Sequence, residues 1–308
     1  MSRVTVVTDS AAALPPDLAT SLGIRVVPLW LTIGDERHRD GDIALDELVR
    51  RFSEPITTSA PSPGEYAREI ADARQRGPVV VLTVSKRMSS SFESVVLAAK
   101  LVADDAVQVA GAGAEAGRTA ADGGATATGD DARGVTVVDT GTAAGAQGLV
   151  VLAAAEAASR GEPAAAVVAA AEAVAARVRL VATVADLERL AASGRVPEAA
   201  RRLGDRLGVR PLFEFRDGRA RPLRPAFSAA VARDRIVQRC IADAPTSPPV
   251  PGRLHVTVLH ALDPAAADDL ARRVAALEPA TCHVGPFSPV MVAHTGRGLA
   301  GLAWWWQR

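Results

Sequence analysis

Short apolar runs alternate with longer segments of helical period through the first half of the chain. Residues 4–7 precede 15–22, 24–32 precede 45–52, 79–84 precede 89–103, and 136–138 precede 143–160. The first member of each pair is short and rich in β-branched residues, and the second carries apolar positions at helical spacing; this order predicts a parallel sheet covered by helices. After an alanine-rich helix over 163–178 the pattern changes. Strands are expected at 180–184, 209–215, 254–259 and 290–293, and helices at 186–192, 228–243 and 264–277, with a short helical run after Pro197. Asp217-Gly218 stands between two extended runs, a hairpin signal that makes the second sheet at least partly antiparallel. The expected fold class is therefore α/β in two domains. A Rossmann-like, three-layer α/β/α domain with a parallel sheet covers residues 1–160, and a two-layer α/β domain with a mixed sheet covers 161–308.

Composition changes this picture in one place. Residues 104–134 are mostly Ala, Gly, Asp and Thr with almost no large apolar side chain. Such a segment buries too little surface to offset its ordering entropy, so it is expected to be a disordered insertion. The 308 residues are enough for a substantial core. With 35 basic and 35 acidic residues there is no global field to attract nucleic acid or an anionic membrane. Two cysteines, Cys240 and Cys282, lack metal or disulfide spacing, and the start turns polar after four β-type residues. Both features favour a reducing cytoplasm over secretion. No apolar run has the length of a membrane span.

Candidate chemistry lies in polar loops at strand ends. Ser62 followed by Glu65, with Pro63 at the first helical position, is a capping box that brings the loop 57–63 to a helix start. A second hydroxyl-rich loop, 84–91, leads from a strand into a helix whose free N–H groups favour an anion. A third polar loop, 294–298, contributes His294, Thr295 and Arg297. Asp9-Ser10 and Asp139-Thr140 also end strands, where ligands of open parallel sheets collect. Together these groups point to a site for one small anion. Plainer roles exist for each: Ser62 as a cap only, Ser89, Ser90 and Ser91 as caps, Asp9 and Asp139 as turn formers, Arg195 as a helix terminator and His294 as a structural histidine. The run Trp304, Trp305 and Trp306 reads as a core anchor with one indole exposed. Gly296 to Gly301 matches a dinucleotide fingerprint but too little chain follows, and there is no Walker lysine motif, nucleophile elbow or zinc-type histidine spacing.

Six strings in order carry a family resemblance: Thr8-Asp9-Ser10 with Leu14-Pro15, residues 58–63, residues 88–92, residues 137–140, Ser193-Gly194-Arg195-Val196 and residues 294–298. By them the chain resembles the bacterial DegV family, lipid-binding proteins that serve as fatty-acid-carrying subunits of a fatty acid kinase. The resemblance implies a long-chain fatty acid as bound ligand, lying between the domains, with its carboxylate held by Thr58 and Ser89. His294, Arg195, Ser59 and Ser90 fall in the vicinity of the head group or acyl phosphate. It implies no catalytic residue, metal or cofactor in this chain. Phosphoryl transfer would reside in an ATP-dependent partner kinase, with transient membrane contact for lipid exchange and a cytoplasmic location. The chain departs from the family pattern at Ser90, where glycine is usual, and at Phe227, about where an arginine is usual, with Arg221 and Arg224 nearby. Alternative readings are a lipid sensor or storage protein without kinase coupling, a small-metabolite kinase subunit, or a serine hydrolase.

Overall fold

The computed structural model describes residues 3–102, 108–111, 134–185, 189–190, 193–194, 209–245 and 252–307. Five strands, β1 (Thr5–Asp9), β2 (Arg25–Val27), β6 (Val79–Thr83), β7 (Gln108–Gly111) and β8 (Val135–Asp139), form one sheet in the order β2-β1-β6-β8-β7, with every pair parallel. Its side chains alternate between two cores, as the two-residue period of a strand requires. Val79 and Val81 of β6 join Val7, Tyr66, Ile70, Val95 and Ala99 beneath α3 (Pro63–Arg74) and α4 (Ser91–Val102). Val80 and Leu82 face the opposite way, into the largest core.

A helix between the two large sheets holds them together. α5 (Ala144–Ser159) buries 13 of its 16 residues, as an all-round apolar helix must. It touches β1 on one side and β12 (Arg253–His260) and β14 (Ala300–Gln307) on the other. Small residues permit this approach: a Cβ on Gly145 would meet the Thr257 side chain at 2.8 Å. The neighbouring α6 (Ala164–Ala175) packs on β6, β7 and β8, so an element from the expected second half covers the first sheet.

The second large sheet has six strands in the order β11-β10-β9-β14-β12-β13, where β9 is Arg179–Thr183, β10 Arg210–Arg216, β11 Arg219–Ala226 and β13 Thr281–Pro286. All neighbours are antiparallel except β12 and β13. The β10–β11 turn has positive φ at both Asp217 (53°) and Gly218 (71°), the geometry that Asp-Gly favours in a two-residue hairpin. Leu180 and Ala182 of β9 face the core shared with α5, whereas Val181 faces α7 (Ala229–Ala242) and α8 (Pro264–Ala275) on the far side. A third, antiparallel sheet, β4-β3-β5, joins β3 (Trp30–Ile33), β4 (Glu36–Arg39) and β5 (Ile56–Ser59). Two short helices, α1 (Pro16–Ser21) and α2 (Leu45–Arg50), complete the first half.

Several expectations are corrected. The run expected as a strand at 290–293 is helical, within α9 (Pro289–Thr295), where Pro289 occupies the first turn and a short apolar run carries no period of its own to separate helix from strand. The strand expected over 24–32 divides at Pro28 into β2 and β3, which belong to different sheets. Thr57, Thr58 and Ser59, expected as loop, lie in β5. Within the supposed insertion 104–134, Gln108–Gly111 forms the edge strand β7, and the remainder, apart from Gly134, lies outside the described residues. Backbone pairing with β8 asks nothing of side-chain size, so low hydrophobicity did not exclude a strand there. The tryptophan run is a strand with alternating faces. The Trp304 and Trp306 Nε1 atoms donate to the Asp243 carboxylate and the Cys240 carbonyl, at 3.1 Å each, while Trp305 stacks on His255 with ring centroids 4.7 Å apart.

Candidate functional site

Three elements converge on one cavity. Pairing of β5 with β3 sets Thr58 opposite Leu31. Helix α9 packs on β3 and β5 and brings His294 to Thr58, Nε2 lying 2.8 Å from Oγ1. The serine loop leaves the carboxyl end of β6, next to β1 at the point where strand order reverses, the usual ligand position of a parallel sheet. That loop is fixed by backbone bonds from Ser85 to the Thr142 carbonyl (2.8 Å) and from Met88 to the Ser85 carbonyl (2.9 Å). The β10–β11 hairpin closes over it: a Cβ on Gly218 would fall 2.4 Å from the Ser85 hydroxyl.

The cavity, of about 310 Å³, has Thr58, Ser59, Ser89, Ser90, His294 and Thr295 as its polar lining. Its remaining wall is apolar, with Leu180, Phe213, Phe215, Phe287, Val290 and Met291 drawn from β9, β10, the segment entering α9 and α9 itself. A few convergent polar groups in an apolar pocket suit an amphipathic ligand with a polar head. Among the described residues no cluster of three or more histidine, cysteine or acidic groups could hold a metal ion, and no helix is long and apolar enough to cross a membrane.

Of the expected site residues, Thr58, Ser59, Ser89, Ser90 and His294 are brought together, and Arg195 lies outside the described residues. Ser62 caps α3. Its Oγ accepts from the Glu65 amide at 3.3 Å, its own amide donates to the Glu65 carboxylate at 2.8 Å, and it does not line the cavity. Asp9 and Asp139 are struts. The Asp9 carboxylate accepts from the Ala11 amide (3.2 Å), the Val84 amide (3.0 Å) and Gln147 Nε2 (2.9 Å), and so ties down two residues of the cavity wall. Asp139 accepts from the Lys86 amide (3.3 Å) and the Gly141 amide (2.9 Å), holding the serine loop from below.

Two further residues hold the site from behind. Asp40 accepts from Ser10 Oγ (2.6 Å), Ser288 Oγ (2.7 Å) and the Val290 amide (3.0 Å), fixing the start of the helix that carries His294; in sequence it was one of several acids in a polar turn. Ser91 was legible only as a possible cap. It is fully buried, its Oγ lies 3.0 Å from Ser89 Oγ, and its amide donates to the same Ser89 oxygen at 3.2 Å.

Burial pushes the Asp9 carboxyl up to about 6, against the opposing hydrogen bonds of Gln147, Val84 and Ala11 and with a small addition from Asp40. The folded state therefore holds a proton that the unfolded chain releases near its ordinary value of 3.8. The resulting stability is fully present below that lower value and is lost as pH rises through about 6. At about 1.4 kcal/mol per pH unit of displacement, the loss is roughly 3 kcal/mol. Urea unfolding of wild type and Asp9→Asn between pH 4 and 7 is expected to show wild type losing about that much relative to the variant. A wild type that instead gains on the variant would mean that the N–H partners outweigh burial.

The model of the DegV family, a family described as uncharacterised protein, matches residues 3–306. A DegV domain-containing protein of Streptomyces coelicolor is 33% identical over 309 residues, covering 98% of each chain. One from Mycobacterium tuberculosis is 33% identical over 312 residues, covering 97% of this chain and 96% of its own. Among solved structures, a fatty-acid-binding DegV family protein of Thermus thermophilus superposes with a TM-score of 0.82 at 29% identity, covering 99% of both chains.

Proposed function

Since the chain belongs to the DegV family, we propose that it binds one long-chain fatty acid in this cavity, with Thr58 and Ser89 donating to the carboxylate and the tail along the apolar wall. The observation that carries the reading is that hydroxyls from two segments distant in sequence, those of Thr58 and Ser89, line one otherwise largely apolar cavity. The Thermus thermophilus relative, described as binding fatty acid, supports it. A tail of roughly 14 methylenes at about 0.8 kcal/mol each supplies about 11 kcal/mol of transfer free energy before association costs. Neutral hydroxyls hold the head at lower desolvation cost than a buried ion pair. Ser89 Oγ has Ser91 as its neighbour rather than an imidazole, which favours a binding protein over a serine hydrolase, since an attacking serine needs a base within reach.

The finer reading is a carrier that presents the carboxylate to a separate ATP-dependent kinase for acyl-phosphate formation, with His294 and Arg195 serving the phosphorylated head. Storage or sensing without a kinase is the second reading, favoured by Phe227. Its side chain is 74% exposed, and an apolar ring stands there in place of the basic group that the family pattern usually has. Native mass spectrometry of purified protein is expected to show a mass increment of one fatty acid that denaturation releases as the free acid. Recovery of a Ser-linked acyl group or of a phosphosugar would sink the binding proposal. Incubation of loaded protein with ATP and the kinase subunit of its own organism separates the carrier from storage, because only the carrier yields acyl phosphate.

A further inference from the structure

The six-stranded sheet carries a second concave region on the face turned away from the cavity. Phe213 and Phe215 of β10 line the cavity, so Leu212 and Glu214 face the opposite side, where α7 packs. There α7 covers the sheet only in part, and Val181, Leu212 and Leu223 floor an open groove of about 560 Å³.

A β-bulge shapes the rim. Between the paired residues Leu212 and Leu223 and the paired residues Arg210 and Ala226, Arg224 and Pro225 stand opposite Pro211 alone. Proline has no N–H to give the ladder, so pairing breaks there. On a regular strand Leu223 and Arg224 would point to opposite faces, but with the bulge both line the groove. Helix α7 adds two arginines one turn apart. Arg235 Nη1 donates to the carbonyls of Arg224 (3.1 Å) and Pro225 (2.6 Å), and Arg239 Nη2 donates to the Glu214 carboxylate at 3.3 Å. Glu214 offsets Arg239, whereas Arg224 and Arg235 have no acidic partner among the described residues. Residues 209–245 hold eight arginines against four acids in a chain that balances overall, so this face stays positive.

We propose that this groove is a second ligand site, for a small amphipathic anion whose aromatic or aliphatic body lies on Val181, Leu212 and Leu223 and whose oxyanion head meets Arg224 and Arg235. An apolar floor with a few convergent charged groups suits such a ligand, and the guanidinium fork matches the geometry of an oxyanion. The aliphatic stems of the arginines extend the apolar wall toward solvent. The groove lies on the other face of the sheet from the fatty-acid cavity and shares no lining residue with it, so the inference stands apart from the fatty-acid reading.

The test is fluorescence titration with anilinonaphthalene sulfonate and with its uncharged relative phenylnaphthylamine, palmitate being kept in excess to fill the first cavity. Wild type is expected to bind the sulfonate saturably, and Arg224→Gln to bind it roughly tenfold more weakly with the amine unchanged. Arg221→Gln is the control: Arg221 is on the same strand, pairs with Asp217 and does not line the groove, so this variant should bind like wild type. No sulfonate binding by wild type overturns the proposal, and so does complete displacement of the probe by palmitate, which places it in the first cavity. Unchanged affinity in Arg224→Gln, or an equal loss in Arg221→Gln, overturns it as well, the latter because it marks surface charge in general. Should Arg224→Gln fail to fold, Arg235→Gln decides by the same criteria. If palmitate itself is not taken up, the fatty-acid reading fails alone, and the Arg224→Gln comparison still locates the probe.

Discussion

Thr58→Ala and Ser89→Ala are each expected to weaken fatty-acid binding by about 10- to 100-fold while the protein remains folded. Each variant removes one charge-assisted hydrogen bond, on the order of 1.5 to 3 kcal/mol, and every 1.4 kcal/mol is about a tenfold change in affinity. Thr58→Ala does further harm, because His294 Nε2 loses the partner held at 2.8 Å. Ser62→Ala is the control from the neighbouring loop. Its oxygen caps α3 and does not line the cavity, so it should cost about 1 kcal/mol of stability and leave binding intact. Titration beside thermal melts separates the two kinds of effect. The head-group assignment fails if Ser62→Ala weakens binding more than either of the others.

The largest loss of stability is expected from Gly148→Val in the central helix. A Cβ at Gly148 would stand 2.7 Å from the Ala12 carbonyl oxygen and 3.2 Å from Leu14 Cδ2, and the first of these is backbone that cannot rotate away. Overpacking of a close-packed core costs typically 1 to 3 kcal/mol, and a valine adds two methyl groups beyond the Cβ, so about 3 kcal/mol or more is expected. The corresponding fall in melting temperature is on the order of 6 °C or more. Gly64→Ala is the matched control. Gly64 is exposed in α3 with nothing within 4 Å of its absent Cβ, and alanine in a helix gains roughly 0.5 to 1 kcal/mol over glycine. A Gly148→Val protein that melts with wild type would show that the helix and the Ala12 turn move apart at little cost. Loss of fatty-acid affinity in the same variant would fit the geometry, since Ala11 and Ala144 both line the cavity close by.

What the chain determines by itself is what short-range physics can carry. The capping box of Ser62 and Glu65, the Asp217-Gly218 turn and the pairing of apolar runs with helical segments each depend on neighbours a few residues apart, and all are present in the structure. The choice of Thr58, Ser89 and His294 among the polar loop residues rests instead on resemblance in six short strings, and the local sequence, which points their loops to one anion site, does not set which side chains meet. Tertiary structure decided that. Thr58 and His294 are 236 residues apart, and their contact depends on β5 pairing with β3 and on Asp40 pinning the start of α9. It also decided whether residues 290–293 became helix or strand, and turned the tryptophan run into a strand with two indoles against α7 and one against His255. Short apolar runs have no period long enough to choose a conformation, so the surface they are buried against makes the choice.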